Sequence, residues 1–553
     1  MKTSKVKKLC AVALAATLGA SILVGCGGSK NGDKAATASK QELTYNLGGD
    51  PRTLDPALNS DTVSSMVIAN GFTGLTELDK NEKAIPGDAE KWDVSADGLT
   101  YTFHLRKDLK WSNGDPLTAK DYEYEWKRLL NPETASEYAY MGYYIKNGEA
   151  YNKGKATADQ VQVKATDDTT LTVTLENPCP YFPELIGQAY FFPVDQKVVE
   201  ANKDWATDAK TLVSNGPFKF ADYKIKDQIV FEKNENYFDK DKVKLDKLTM
   251  KCVAEETSAW ASLKSGQFDV VDTVPKSDVQ GALKDGTAKT FPNFATWYIS
   301  INVSDKAKDV DPAAAKVLSD AKVRKALSLA IDRQSICDNV LKAGQVPSTG
   351  VVPKGCLDPS GKDYTATKTY FDSKANIDEA KKLLAEAGFP DGQGLPTIQV
   401  MFNPESGHGE TMQAIQDMWK KIGVNTELKS QEFKVLIPTR VKKQYLMSRD
   451  GWNGDYVDPM TFLDQFMSNT DQNNPGYNNP AYDAKVTEAK KEADNTKRFA
   501  LMHEAEDMLM NDMPIIPVYT YTKTIGIKDY VKGLRVSLLN TLYFKEAYIE
   551  GKK

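Results

Sequence analysis

Few residues in this chain have the type and spacing that catalysis or metal binding needs. Its 553 residues include three histidines, His104, His408 and His503. His503-Glu504 is not followed, three residues on, by the second histidine of a zinc-protease helix. There is no Gly-x-Ser-x-Gly to lift a serine nucleophile onto a strand-to-helix turn, and no phosphate loop. Gly392-Gln393-Gly394 lacks the third glycine of a dinucleotide fingerprint. None of the six cysteines falls in a Cys-x-x-Cys pair, which argues against metal ligation. A carboxylate-only hydrolase remains chemically open, but 76 acidic residues nominate no particular pair. The chain therefore reads as a non-enzyme with no cofactor and no metal site.

Cys26 is the cysteine with a chemical assignment. Lys2, Lys5, Lys7 and Lys8 precede an apolar run from Leu9 to Val24, with no acidic residue before Asp33. A charged start and a short apolar core make a secretory signal, here residues 1–25. Sixteen residues interrupted by Thr17, Gly19 and Ser21 are too few for a stable membrane span. The run ends in Leu23-Val24-Gly25-Cys26, similar to the acylation site of bacterial lipoproteins. Cys26 is thus the expected lipidation site, and two or more acyl chains hold a protein on a bilayer. The stretch 26–41, rich in Gly, Ser, Ala and Lys, is then a flexible tether reaching roughly 20 Å. The expected location is the outer face of the cell membrane, lipid-anchored.

The remainder reads as a soluble, mildly acidic body. Losing the signal removes four lysines and no acids, taking the formal net charge from -5 to -9 and arguing against a nucleic-acid partner. The length calls for three or four domains. Leu43, Tyr45 and Leu47, then Leu99 to Leu105, then Leu171 to Leu175, alternate as half-buried strands do. Thr118 caps a helix with Asp121 in its first turn. A helix over 255–263 is stopped by Gly266, and strands are expected at 268–271, 297–303, 398–402 and 445–449. Amphipathic spacing predicts helices over 323–341, over 377–387 ending at Gly388, and through Met412, Ile415, Trp419 and Ile422 up to Gly423. Strands alternating with helices predict an α/β fold. Cys179, Cys252, Cys337 and Cys356 could pair in three complete ways or stay free.

An ordered series of segments resembles one family. It runs Leu54-Asp55-Pro56, Gly71-Phe72-Thr73-Gly74-Leu75, Ala89-Glu90-Lys91-Trp92, Tyr101 to Arg106, and Lys110-Trp111-Ser112-Asn113-Gly114. It continues with Ser214 to Phe218, Val323 to Leu327, Ala380 to Phe389, Gly451 to Pro459 and Ile516 to Tyr519. The resemblance, from about 42 to 548, is to the solute-binding lipoproteins of oligopeptide ABC importers, extracellular solute-binding protein family 5. It implies a two-lobed periplasmic-binding-protein-like fold, the large three-domain variant of type II, with two hinge crossings. Domain I would comprise 42–72, 190–295 and 522–553, domain II 73–189 and domain III 296–521. The implied partners are an oligopeptide, the importer's permease and ATPase complex, and the membrane through the lipid anchor; the implied state is a monomer. Other solutes carried by the same fold (a nickel chelate, haem, a sugar oligomer) and a peptide-pheromone receptor remain alternatives, with a hydrolase the remotest.

The same resemblance implies the site. Asp455, in Gly451-Trp452-Asn453-Gly454-Asp455-Tyr456, matches the aspartate that meets the peptide's ammonium group. Arg449 and His408 match basic positions that approach the peptide carboxylate in some members. Arg449 could equally be half of a structural ion pair, and His408 a surface residue on a glycine-flanked loop. Trp452 would line a side-chain pocket, and Tyr298 and Ser300 lie on a strand bordering the cleft. Asp458 reads as a helix cap. The chain also departs from its relatives: some carry glutamates where it has Ser300 and Ser60, and a cystine where it has Ala295 and Asn453.

Overall fold

The computed structural model describes residues 40–552. The expected signal segment 1–25, Cys26 and the tether up to Ser39 lie outside the described residues. Alternating apolar residues and long β-branched runs build one sheet of eleven strands from Leu43, Ile229, Leu248, Ile299, Val400 and Ile516 and their neighbours. Its order is Thr426–Ser430, Ile398–Phe402, Met447–Asn453, Ala288–Ile301, Ile515–Ile527, Val270–Val271, Glu42–Asn46, Lys247–Lys251, Gln228–Lys233 and Phe218–Lys224. The short strand Val346–Pro347 pairs onto Ile515–Ile527. A separate four-stranded sheet, Ala89–Val94, Thr100–Leu105, Thr170–Thr174 and Val163–Asp167, carries the helix Ala119–Leu130.

The two longest strands, Ala288–Ile301 and Ile515–Ile527, hold the large sheet together. They are antiparallel, and their ladder has two parts. Residues 288–292 pair with 522–526, and 296–300 pair with 515–520, with register shifts after Pro292 and Trp297. The break has a chemical cause, since proline donates no ladder hydrogen bond. At the break, Asn293 to Ala295 leave this partner: Phe294 donates to Leu538 O at 2.8 Å and accepts from Gly454 N at 2.8 Å. The two strands thus run from one half of the sheet to the other.

Beyond the break, side-chain alternation sorts two environments. Trp297, Ile299 and Ile301 pack with Leu327, Leu384, Ile415 and Trp419, from the helices Ala321–Leu329, Ile377–Glu386 and His408–Lys420. Tyr298 and Ser300 turn to the opposite face.

Several boundaries differ from the sequence reading. The helix expected over 323–341 ends at Leu329, because Asp332 caps a new turn by accepting from Ser335 N at 2.7 Å, and 336–341 then continues as a π-helix. The strand expected at 297–303 starts nine residues earlier, at Ala288. The one expected at 445–449 runs Met447–Asn453, which places Trp452 and Asn453 on it. The capping box of Thr118 with Asp121 and the left-handed glycines Gly266, Gly388 and Gly423 stand where sequence put them. Cys179, Cys252, Cys337 and Cys356 are free thiols.

Candidate functional site

The loop that follows Met447–Asn453 is fixed by backbone before any side chain acts. The strand lies antiparallel to Ala288–Ile301, with Ala295 opposite Asn453, Thr296 opposite Trp452, Tyr298 opposite Asp450 and Ile299 opposite Arg449. At its end, Gly454 sits so close to Phe294 that an added Cβ would come within 2.6 Å of the ring, so only glycine lets the chain turn here. Thr461, on the short helix Met460–Leu463, takes two hydrogen bonds on Oγ1: from Asp455 N at 3.2 Å and from Trp452 Nε1 at 3.3 Å. Asp458 caps that helix, accepting from Met460 N at 2.9 Å, and forms a buried bidentate pair with Arg498. The reading of Asp458 as a cap is therefore correct, but incomplete without Arg498.

This scaffold aims one carboxylate at nothing. Among the described residues no hydrogen bond reaches the Asp455 carboxylate and no cation lies within 4.0 Å of it. Burial, reinforced by the neighbouring charge of Asp464, pushes its pKa up to about 7. It borders a cavity of about 710 Å³ that also touches Trp452, Thr461, Tyr144, Tyr181 and Tyr456. Tyr144 links the two sides of this cavity, with hydroxyl contacts of 3.1 Å to Tyr181 and 3.3 Å to Tyr456, and the Tyr181 and Tyr456 rings stack at 5.1 Å.

The structure divides the remaining candidates between the two faces of the strand. Arg449 and His408 share the face of Trp297 and Tyr519. Arg449 donates from Nη2 to Tyr521 Oη at 2.8 Å, while its buried Nε has no partner. No carboxylate lies within 4.0 Å of it among the described residues, so the structural ion pair offered as an alternative is not made here. It is an uncommitted cation.

His408 is not on the surface. It is the first residue of the helix His408–Lys420, 4% exposed, and accepts from Trp297 Nε1 on its Nδ1 at 3.2 Å. Burial, with the Arg449 charge second, lowers its pKa to about 3. A neutral ring with Nδ1 as acceptor carries its proton on Nε2, and so does not offer a carboxylate a full charge. The His408 ring resonances are expected to stay flat in NMR titrations from pH 5 to 8; a midpoint above pH 5 would contradict this environment.

Ser300 lies on the strand as expected, but it is fully buried and its hydroxyl meets Tyr445 Oη at 2.7 Å. Tyr298 is likewise buried, donating to Gln465 Oε1 at 3.2 Å. Ser60 is half-buried and accepts from Arg52 Nη1 at 3.2 Å, whereas Asn453 is exposed.

Sequence reasoning missed a second cavity of about 700 Å³ lying along the crossing strands. Leu47, Thr62, Asp272 and Lys523 line it, together with Lys276 and Glu410, which pair across it at 2.8 Å. These positions are scattered over the chain, and nothing local marks them. The tyrosines beside Asp455 did leave a trace: Tyr138, Tyr140, Tyr143 and Tyr144 crowd into seven residues.

A mixed α/β body with a hydrophobic sheet crossed by two long strands, and an unpaired, half-buried carboxylate beside a cavity, suits a solute-binding protein. The family model for bacterial extracellular solute-binding proteins, family 5 middle, matches residues 83–474, and the chain belongs to that family, with its type II fold. Among its relatives is the oligopeptide-binding protein OppA of Bacillus subtilis, 37% identical over 96% of this chain and 97% of that protein. A solved structure of MppA, a periplasmic murein tripeptide binding protein in its unliganded open form, superposes with a TM-score of 0.79 at 32% identity, covering 93% of this chain and 98% of that one. Listeria monocytogenes OppA bound to peptide gives 0.72 at the same identity, covering 93% and 100%. With identity equal, the better match is to the open form.

Proposed function

We propose that this protein is the extracytoplasmic receptor of an ABC importer, capturing short peptides between two closing lobes and delivering them to the permease. The observation that carries the reading is Asp455: a carboxylate held by backbone and Thr461, without a cation of its own, and raised to about 7 by its surroundings. A peptide brings the missing cation as its terminal ammonium. Once closure removes water, such a charge needs a fixed counter-charge, since an unpaired buried ion costs several kcal/mol. Its sequence-independent backbone can add to exposed strand edges.

The lobes are divided where the ladder breaks, near 295/296 and 521/522, which supports domain I as 42–72, 190–295 and 522–553 and domain III as 296–521. Domain II, 73–189, contains the four-stranded sheet. Hinge closure of this kind is a standard motion of binding proteins. Arg449, uncommitted on the opposite face, is the group proposed for the peptide carboxylate, with Trp452 beside a side chain. The protein is read as a non-catalytic monomer held to the outer face of the membrane by lipid on Cys26. The relatives' peptide ligands support this cargo over a neutral sugar, which has no use for an unpaired anion.

Isothermal titration calorimetry with a free and an N-acetylated tripeptide tests it. The free peptide is expected to bind at least tenfold more tightly. Equal affinity removes the ammonium–Asp455 contact, and the assignment of cargo with it.

A further inference from the structure

The space beside Asp455 has more negative charge than a terminal ammonium requires. Four carboxylates line that cavity, those of Glu176, Asp455, Asp464 and Asp471. The one ammonium among its lining residues, Lys490, is already bound to Asp464 at 3.0 Å. Tyr140, Tyr143, Tyr144 and Tyr181 share the lining, and Tyr140 is 43% exposed, its ring available to a visitor.

In a bound peptide the first side chain leaves from the same carbon that carries the ammonium group. If Asp455 holds the ammonium, that side chain has to enter the space next to it, and with about 710 Å³ there is room for a long one. We infer that this cavity takes a cationic first residue, so that the receptor favours peptides beginning with arginine or lysine. The inference rests on the reading that peptides bind with their ammonium at Asp455.

The chemistry sorts the possible first residues. Asp455 is occupied by the ammonium and Asp464 by Lys490, which leaves Asp471 and Glu176, the latter also accepting from Asn147 N at 2.7 Å, to face whatever follows. A guanidinium satisfies them while stacking on tyrosine faces, an attraction between a cation and a ring quadrupole. An ammonium on a long stem gains the charge term with less of the stacking. An acidic side chain meets like charges, which is how interfaces reject wrong partners. A small apolar side chain leaves the carboxylates hydrated and gains little. Because Glu176 and Asp471 are exposed, their share of the preference is expected to fall as salt rises.

Calorimetry with Arg-Ala-Ala, Ala-Ala-Ala, Glu-Ala-Ala and N-acetyl-Arg-Ala-Ala on the purified protein decides the matter, repeated on the Glu176→Gln/Asp471→Asn variant. The arginine peptide is expected to bind about tenfold more tightly than the alanine peptide, and the glutamate peptide more weakly than either. In the double variant the arginine-to-alanine ratio is expected to fall to about threefold or less. Equal affinity for the arginine and alanine peptides, or a ratio unchanged in the variant, overturns the inference while leaving the peptide reading intact. Failure of every free peptide to bind, or equal binding of the acetylated one, overturns that reading and this inference with it.

Discussion

Asp455→Asn is expected to lower affinity for an unmodified peptide by at least about thirtyfold while making the unliganded protein more stable. The two effects have one cause. In the ligand-free protein the carboxylate has burial and Asp464 against it and no partner in its favour, so its pKa rises to about 7. A folded-state pKa above the unfolded value means that ionisation opposes folding. The stability is complete below the unfolded carboxylate pKa and is lost as pH climbs through about 7. An amide never ionises, so the variant keeps what the wild type loses, roughly 2 kcal/mol at pH 8 after allowing for partial exposure.

For the peptide complex the balance reverses. Removing one partner of a desolvated charge pair costs about 2–5 kcal/mol, and 1.4 kcal/mol is tenfold in affinity. The bound ammonium also stabilises the ionised carboxylate, so affinity is expected to be full above pH 7 and to decline as pH falls below it, because binding must then release a proton. Calorimetry between pH 5 and 8, with thermal melts of both proteins without ligand, measures all of this. A variant that binds as tightly as wild type, or melts several degrees lower, would show Asp455 to be a structural residue.

The second large effect is expected at Arg498. Its guanidinium grips Asp458 with two nitrogens, donates from Nε to Asn495 Oδ1 at 2.9 Å and lies 4.9 Å from the Tyr181 ring centre; both members of the pair are almost completely buried. Arg498→Met leaves the Asp458 carboxylate buried without its counter-charge, at a cost of about 3–5 kcal/mol. The thermal midpoint is expected to fall by about 3–5 °C. Because Asp458 lies three residues from Asp455 and caps the helix bearing Thr461, peptide affinity should weaken as well. The Arg498→Met/Asp458→Asn double variant removes both charges and should recover part of the lost stability. A single variant as stable as the wild type, or a double variant no better than the single, would refute the role given to this pair.

The local elements were legible because they obey local rules. Thr118 with Asp121, the stop glycines 266, 388 and 423, and the alternation through Tyr101 and Phe103 depend on neighbours a few residues away. The helix drawn through 323–341 failed because the apolar stripe said nothing of Asp332 offering a competing cap. The strand starting at Ala288 was cut short because Lys289 to Pro292 show no alternation, and it is the partner Ile515–Ile527, more than 200 residues away, that extends them.

The sequence determined by itself that the chain carries a lysine-rich then apolar N-terminal stretch with a cysteine behind it, an acidic body without the motifs of common catalytic sites, and a Gly-Asp-Tyr segment placed after a strand. These are properties of composition and of short-range pattern. Tertiary structure alone decided which of the candidate groups are free to act. Pairing register sent Arg449 to one face and Tyr298, Ser300 and Trp452 to the other, and the helix starting at His408 packed on the face of Arg449; burial made His408 neutral and closed Ser300 against Tyr445; and the approach of the 138–181 and 455–472 segments put tyrosines beside Asp455. Charge state and accessibility depend on what packs around a group, and that is fixed by contacts between residues far apart in the chain.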